Sequence, residues 1–479
     1  MESNPRKKRK METEFTEQEA RRMFWTASQR YEYDKINFIN MGTDIIRLLS
    51  NDDYIEDIVN NNYYNSNKLS LQKAIKYPRF SVFNMKRLIA SDPRLEKICI
   101  DGRNNFFYSS YVSYTFNKGK AHSDKKLHEK VDDFKYLINL YGSHLKVLNV
   151  EEYPFSEIMP LINTNCPNLN ELILQFKKIE SQDFENVFSN MSHLEVLRIN
   201  WQCEDLNLPL TLVESLEQVG GTLKELCLSR NQNQDHLCLP DSLASVFLQL
   251  ITLEKLNIIY FEPSQLLLQS ISKMKNLVHL RFMCSWLNND PVFDEKINMY
   301  PIGNLQNLET LYINFDCGVT DEFLINLSNN AKKLRHLDII GKNITDNGMI
   351  ALNNLKELES LKFNLNELEE NNFITDKSIE CLINEKLEYL NISNFTKITN
   401  RSMVKLFENL PNLTTLYVRN TNITIEVARE LSKLTLCHKK AIFVYVSFED
   451  RDNVFKSFAL TDFFFKSNFN TCKYIDILI

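Results

Sequence analysis

Residues 308–339 read LETLYINFDCGVTDEFLINLSNNAKKLRHLDI, and two periodicities follow one another within them. Leu308, Leu311 and Ile313 set a hexapeptide frame, L-x-x-L-x-apolar, which returns as Leu334, Leu337 and Ile339. A short strand turns the first, fourth and sixth side chains of such a frame inward. Between the two frames the period changes: after Thr320-Asp321, the residues Phe323, Leu324, Leu327 and Ala331 fall at helical spacing. Thr320 suits a helix N-cap, because its hydroxyl oxygen accepts an otherwise unpaired N–H of the first turn. The unit is strand, loop, helix.

The same frame runs through much of the chain. It opens at Leu145, Leu169, Leu194, Leu223, Leu253, Leu277, Leu308, Leu334, Leu358, Leu387 and Leu413, ten steps averaging 26.8 residues. A degenerate twelfth frame precedes them at Leu95, Ile98 and Ile100. Thr345-Asp346, Thr375-Asp376 and Thr399-Asn400 recur where Thr320-Asp321 stands. One unit cannot fold alone. Its few buried apolar side chains contribute roughly 1.5–3 kcal/mol each. Ordering its backbone costs about 1–2 kcal/mol for every residue. Stacking on neighbours tips the balance, so the array is expected to be continuous and capped at both ends. Helices are wider than strands, so the stack should curve with its strands on the concave side.

Composition agrees with a repeat protein and argues against several other classes. The 479 residues are 43% hydrophobic, enough to bury a large core, and the net charge of −6 disfavours non-specific nucleic-acid binding. Only 10 residues are Gly, and neither G-x-G-x-x-G nor a Walker-type loop occurs. The 10 Cys are scattered without a C-x-x-C pair, and no apolar run resembles a signal peptide or membrane span. These features lead us to expect a reduced, intracellular protein, in cytoplasm or nucleus, with its cysteines as small core residues. Eight N-x-[ST] tripeptides, from Asn190 to Asn422, read as Asn-rich composition.

The expected organisation has four parts. Residues 1–20 form a polar tail in which Pro5 precedes Arg6, Lys7, Lys8, Arg9 and Lys10, either a nuclear-import signal or a solvated basic stretch. Residues 21–92 carry helical patterning and should be an N-terminal cap. The array covers 93–436, interrupted at about 101–128 by an aromatic and basic insertion expected to fold back onto it. Residues 437–479 should form a C-terminal cap, with strands at Ala441–Phe448 and Lys473–Ile479 covering the last edge.

Cys166-Pro167-Asn168-Leu169, Ile344-Thr345-Asp346, Ile374-Thr375-Asp376 and Leu410-Pro411-Asn412-Leu413 resemble the cysteine-containing class of leucine-rich repeats. The resemblance implies an α/β fold, a right-handed leucine-rich-repeat solenoid of horseshoe form with a helical N-terminal cap and a C-terminal strand cap. Proteins of this type are mainly F-box/leucine-rich-repeat proteins, substrate receptors of cullin–RING (SCF-type) ubiquitin ligases. In that family an F-box opening with Leu-Pro and an acidic residue precedes the repeats and docks the ligase adaptor. Residues 1–92 hold no such opening, and Trp25 has no Leu-Pro before it. Leu239-Pro240-Asp241-Ser242-Leu243 imitates one, but it lies in register as the helix of a repeat. The resemblance leaves two readings, a ligase receptor whose F-box has diverged and a stand-alone scaffold or adaptor.

No constellation points to an enzyme, a cofactor or a metal. The 8 His show no metal-ligand spacing, and His279 and His336 take the third position of their frames, where they should face outward. The concave face is the expected functional surface, with a protein ligand. The fifth position presents Arg198, Asn257, Arg281, Tyr312, Asp338, Lys362, Asn391 and Tyr417, and just after the frames come Trp201, Arg230, Tyr260, Phe315 and Arg419. Tyr, Trp and Arg commonly anchor protein interfaces because they bury large areas while keeping polar handles.

Overall fold

The computed structural model describes residues 97–100, 111–114, 135, 138–139, 142–150, 155–203, 208–230, 238–283, 297–315, 318–365, 369–424, 427, 443–447, 464–465 and 474–478. The basic tail and the expected helical cap over 21–92 lie outside the described residues. The chain divides into two compact units, the first ending at Glu204 and the second beginning at Asp205.

In the first unit, five parallel strands stand in the order β2 (Tyr111–Tyr114), β1 (Lys97–Ile100), β3 (Val147–Val150), β4 (Glu171–Phe176) and β5 (Val196–Trp201). Strand β1 is the degenerate frame. Strand β2 arises inside the stretch expected as an insertion, and it pairs with β1 from Lys97↔Tyr111 to Ile100↔Tyr114. Helix α1 (Met159–Asn165) follows β3.

The second unit repeats the pattern. Its parallel strands are β6 (Glu225–Arg230), β7 (Lys255–Ile259), β8 (His279–Met283), β9 (Thr310–Ile313), β10 (His336–Ile339), β11 (Ser360–Phe363), β13 (Tyr389–Asn391), β15 (Thr415–Val418) and β16 (Phe443–Ser447). Between them run α2 (Leu210–Ser215), α3 (Leu243–Gln249), α4 (Gln265–Ile271), α5 (Asp321–Asn330), α6 (Asp346–Ala351), α7 (Asp376–Glu380) and α8 (Asn400–Asn409). Two short strands, β12 (Asn371–Thr375) and β14 (Phe395–Lys397), pair with each other beside α7 and α8. Helix α3 contains Leu243 of the Leu-Pro-Asp stretch, so that stretch is the helix entry of a repeat.

The frame dictates the register. Leu311, Leu337, Leu361, Leu390 and Leu416 stand side by side across five strands, one leucine per unit with no slip. All three frame positions are buried in all eleven units. A slip of one residue would turn every leucine to the opposite face, so burial fixes the pairing.

The polar loops are equally periodic. Thr320, Thr345, Thr375 and Thr399 each cap the helix that follows, their hydroxyls accepting from Phe323, Asn347, Lys377 and Arg401 N–H. The acid after each threonine then ties its unit to the next. Asp321 accepts from Thr345 N at 2.9 Å and Oγ1 at 2.5 Å, Asp346 from Thr375 N at 2.8 Å and Oγ1 at 2.7 Å. Asp376 accepts the same pair from Thr399 at 2.8 and 2.5 Å, and Asn400 closes the series on Thr424. A second ladder precedes the frames: the side chains of Asn168, Asn276, Asn307 and Asn412 donate to carbonyls of Ser143, Ile251, Lys275 and Glu385 in the preceding unit. Repeats of this kind satisfy loop backbone groups that no strand ladder can reach.

Strand β16 continues the register, with Leu416↔Val444 and Tyr417↔Tyr445. Antiparallel β18 (Tyr474–Leu478) covers it, and β17 (Phe464–Phe465) covers β18. The right-handed sequence of strand, loop and helix in one register is a leucine-rich-repeat solenoid.

Candidate functional site

Positions three and five of each frame point away from the core on every strand of the second unit. In register, the fifth-position row runs Asn257, Arg281, Tyr312, Asp338, Lys362, Asn391, Tyr417 and Tyr445. The third-position row beside it includes exposed His279 and His336, then Tyr389 and exposed Phe443.

Neighbouring side chains on this face hold one another. The Arg281 guanidinium lies over the Tyr312 ring, 4.7 Å from its centroid. Lys362 Nζ is 3.3 Å from Asp338 Oδ2, and the Asn364 side-chain amide donates to the other Asp338 oxygen. Burial pushes the Asp338 carboxyl above its ordinary value, while Lys362 and Arg281 pull it back. Burial also raises the Tyr312 phenol, and the Asp338 charge adds to the effect.

Towards the C-terminal edge the face becomes aromatic. Tyr389 and Tyr417 have ring centroids 5.4 Å apart, and Tyr417 stacks on Tyr445 at 4.0 Å and 3°. Arg419 lies over both Tyr417 and Tyr445 at 5.6 Å. The Tyr417 phenol is pushed well above the usual range, first by burial and then by its hydrogen bond with Tyr445. Stacks of this kind fix the rings before any ligand arrives, which lowers the entropy lost on binding.

The residues named from sequence separate into two groups. Arg281, Tyr312, Asp338, Lys362 and Tyr417 share one face of the second unit. Arg198 lies in the first unit, paired to Glu171 at 3.3 Å. Trp201, Arg230 and Phe315 point inward, at 0%, 6% and 3% exposure, contrary to the expectation. They occupy the eighth position, and strand alternation carries inward-facing side chains from four to six to eight. Phe176 sits there too and meets Trp201 at 6.4 Å, as Phe282 meets Phe315 at 6.2 Å. Tyr260 escapes this rule. Its φ of 62° turns the chain, and Phe261 takes the buried place instead.

Arg419, named from sequence just after its frame, belongs to this face, and so do Tyr389 and Tyr445, which were not among the residues singled out. Tyr445 was hidden because its unit begins with Ala441 instead of leucine, so no frame announces it.

Among the described residues no group of His, Cys, Asp and Glu could hold a metal ion. Burial pushes the thiol of Cys166 to about 12 and that of Cys203 to about 11, so both stay protonated near neutrality. No helix among the described residues is long and apolar enough to cross a membrane.

The protein is thus of the leucine-rich-repeat class by architecture. No family model matches the chain. No curated protein sequence matches it either. Among solved structures, the yeast Rad7–Elc1 complex is similar at 19% identity, covering 78% of this chain and 92% of that one, with a TM-score of 0.39. The leucine-rich-repeat protein LIC12759 of Leptospira interrogans is similar at 15% identity, covering 62% and 96%, with a TM-score of 0.29.

Proposed function

We propose that the protein is a protein-binding module and that the outward strand face of its second unit carries the partner. The supporting observation is the row Arg281, Tyr312, Asp338, Lys362 and Tyr417, in register and pre-stacked on a rigid sheet. Aromatic and Arg side chains held in place are what interface hot spots require. The test is Arg281→Ala, Tyr312→Ala and Tyr417→Ala, combined, in quantitative capture of partners from cell lysate. Each anchor should weaken binding by about thirtyfold, the equivalent of roughly 2 kcal/mol. A folded triple variant that keeps every partner of the parent would refute the assignment.

A finer reading rests on the repeat subclass, because the Ile-Thr-Asp units resemble those of ligase substrate receptors. In it the protein presents substrates to a cullin–RING ligase, and residues 21–92 dock the adaptor. Co-elution of the full chain with purified adaptor tests this. If adaptor and chain elute apart while a genuine F-box protein binds, the stand-alone scaffold is the correct form of the proposal.

A further inference from the structure

The charges on the strand face differ in sign from those of the whole chain. From β8 to β16, positions three, five and seven carry three cations, Arg281, Lys362 and Arg419, and one acid, Asp338. That is a net +2, with His279 and His336 beside it, whereas the full chain carries −6. Two of the cations lie over aromatic rings, Arg281 on Tyr312 and Arg419 on Tyr417 and Tyr445. A guanidinium set over a ring keeps a fixed plane, the arrangement in which Arg takes a carboxylate through two parallel N–H donors.

Spacing limits the ligand. Arg281 and Arg419 belong to units five strand steps apart. At about 4.8 Å per step this is roughly 24 Å, the length of about seven residues of extended chain. Lys362, on β11, lies between them, three steps from Arg281. Glu309, Glu359 and Glu388 stand one residue before the strands that follow them, with Arg335 at the same place before β10 and paired to Glu359, so a rim of three acids and one cation, net −2, borders the strip. A polyphosphate backbone, charged at every residue, would meet that rim and Asp338, whereas carboxylates set several residues apart meet only the cations.

We propose that this face binds an acidic, extended protein segment of about seven residues, with carboxylates directed at Arg281, Lys362 and Arg419 and apolar or aromatic side chains against the tyrosines. This rests on the strand face being the binding surface, and it adds the chemistry of the ligand.

The experiment selects peptides from a random dodecapeptide display library on the full chain, then measures the affinity of the best peptide in fluorescein-labelled form. Selected sequences should be enriched in Asp and Glu. Arg281→Glu with Lys362→Glu should weaken the labelled peptide by at least tenfold, and added salt should weaken it too. Lys275→Glu with Lys356→Glu, exposed lysines in loops before β8 and β11, should leave it unchanged. Melting curves establish that each variant folds, and Arg281→Gln with Lys362→Gln is the milder pair should the reversal not fold. Selection of basic or purely apolar peptides, or equal binding to the reversed face, would overturn the proposal. So would tighter binding of a single-stranded oligonucleotide than of the peptide, in favour of nucleic acid. An empty selection alongside loss of partners by the alanine triple variant would overturn the acidic ligand while leaving the binding face in place.

Discussion

Asp346 does two jobs at one helix start. Its carboxylate sits at the positive end of α6, and it accepts from both Thr375 N and Thr375 Oγ1 of the next unit. Partial burial acts to raise its pKa, but hydrogen bonds from Ser378 and Thr375, with the charge of Lys377, outweigh burial and hold it below the ordinary value. A carboxylate depressed in the folded state stabilises fully above its unfolded pKa, and that stability is lost as the pH falls through the folded value. Asp346→Ala should therefore cost about 1–2 kcal/mol near neutral pH, the range for hydrogen bonds to a partly exposed charged group. The gap between parent and variant should be full above about pH 5 and narrow progressively as the pH falls below the ordinary carboxylate value of about 4, read by urea denaturation at each pH. A gap that stays constant over that range would mean that the carboxylate charge contributes nothing. The threonine caps were legible as Thr-Asp pairs before a helical pattern. The bond from each acid to the next unit was not, because it joins residues 29 apart in the case of Asp346 and Thr375.

A strand in this protein is specified by three buried side chains, and β10 shows how strictly. Leu337 is 1% exposed, between Leu311 and Leu361 on the flanking strands. Leu337→Ala should cost about 2–5 kcal/mol through lost burial and the cavity left behind. Leu337→Asp should fail to give a soluble folded chain, since a carboxylate there has no partner and burying it costs far more. Circular dichroism and a melting curve matching the parent would contradict the second expectation. The frame was legible because leucine repeats at fixed offsets, but its end was read too early. Alternation continues to the eighth position, and the bulky apolar residues Phe176, Trp201 and Phe315, all at that offset, were the available signal. Arg230 gave no such signal, because an arginine at a strand end reads as exposed, yet it is 6% exposed. Gly341 holds the same offset for a steric reason: a Cβ there would overlap the Phe363 ring of the next unit.

A stack of repeats has a problem that no single unit solves, since its last strand presents unpaired N–H and C=O groups to any other chain. Strand β15 is the last to carry the leucine frame, and β16 pairs with it in parallel, Phe443 N–H donating to Thr414 C=O at 2.9 Å. The chain then changes direction, so that β18 runs antiparallel to β16 and β17 antiparallel to β18. The apolar runs over Ala441–Phe448 and Lys473–Ile479 made β16 and β18 legible, whereas β17 and the continuation of the repeat register through Val444 and Tyr445 were not. The same strand supplies Tyr445, which stacks on Tyr417, so the cap also completes the proposed binding face. Truncation after residue 436 should expose the β15 edge and remove that stack at once. The shortened chain is expected to elute from size exclusion as large aggregates, since apolar β15 with an open edge is a template for pairing. Adding Lys at positions 415 and 417 of the shortened chain, charged residues on the exposed strand, should partly restore a monomer, because charge blunts edge pairing. A truncated chain that elutes as a monomer and melts like the parent would show that the edge of β15 is protected by its own unit, and that β16 to β18 serve the binding face alone.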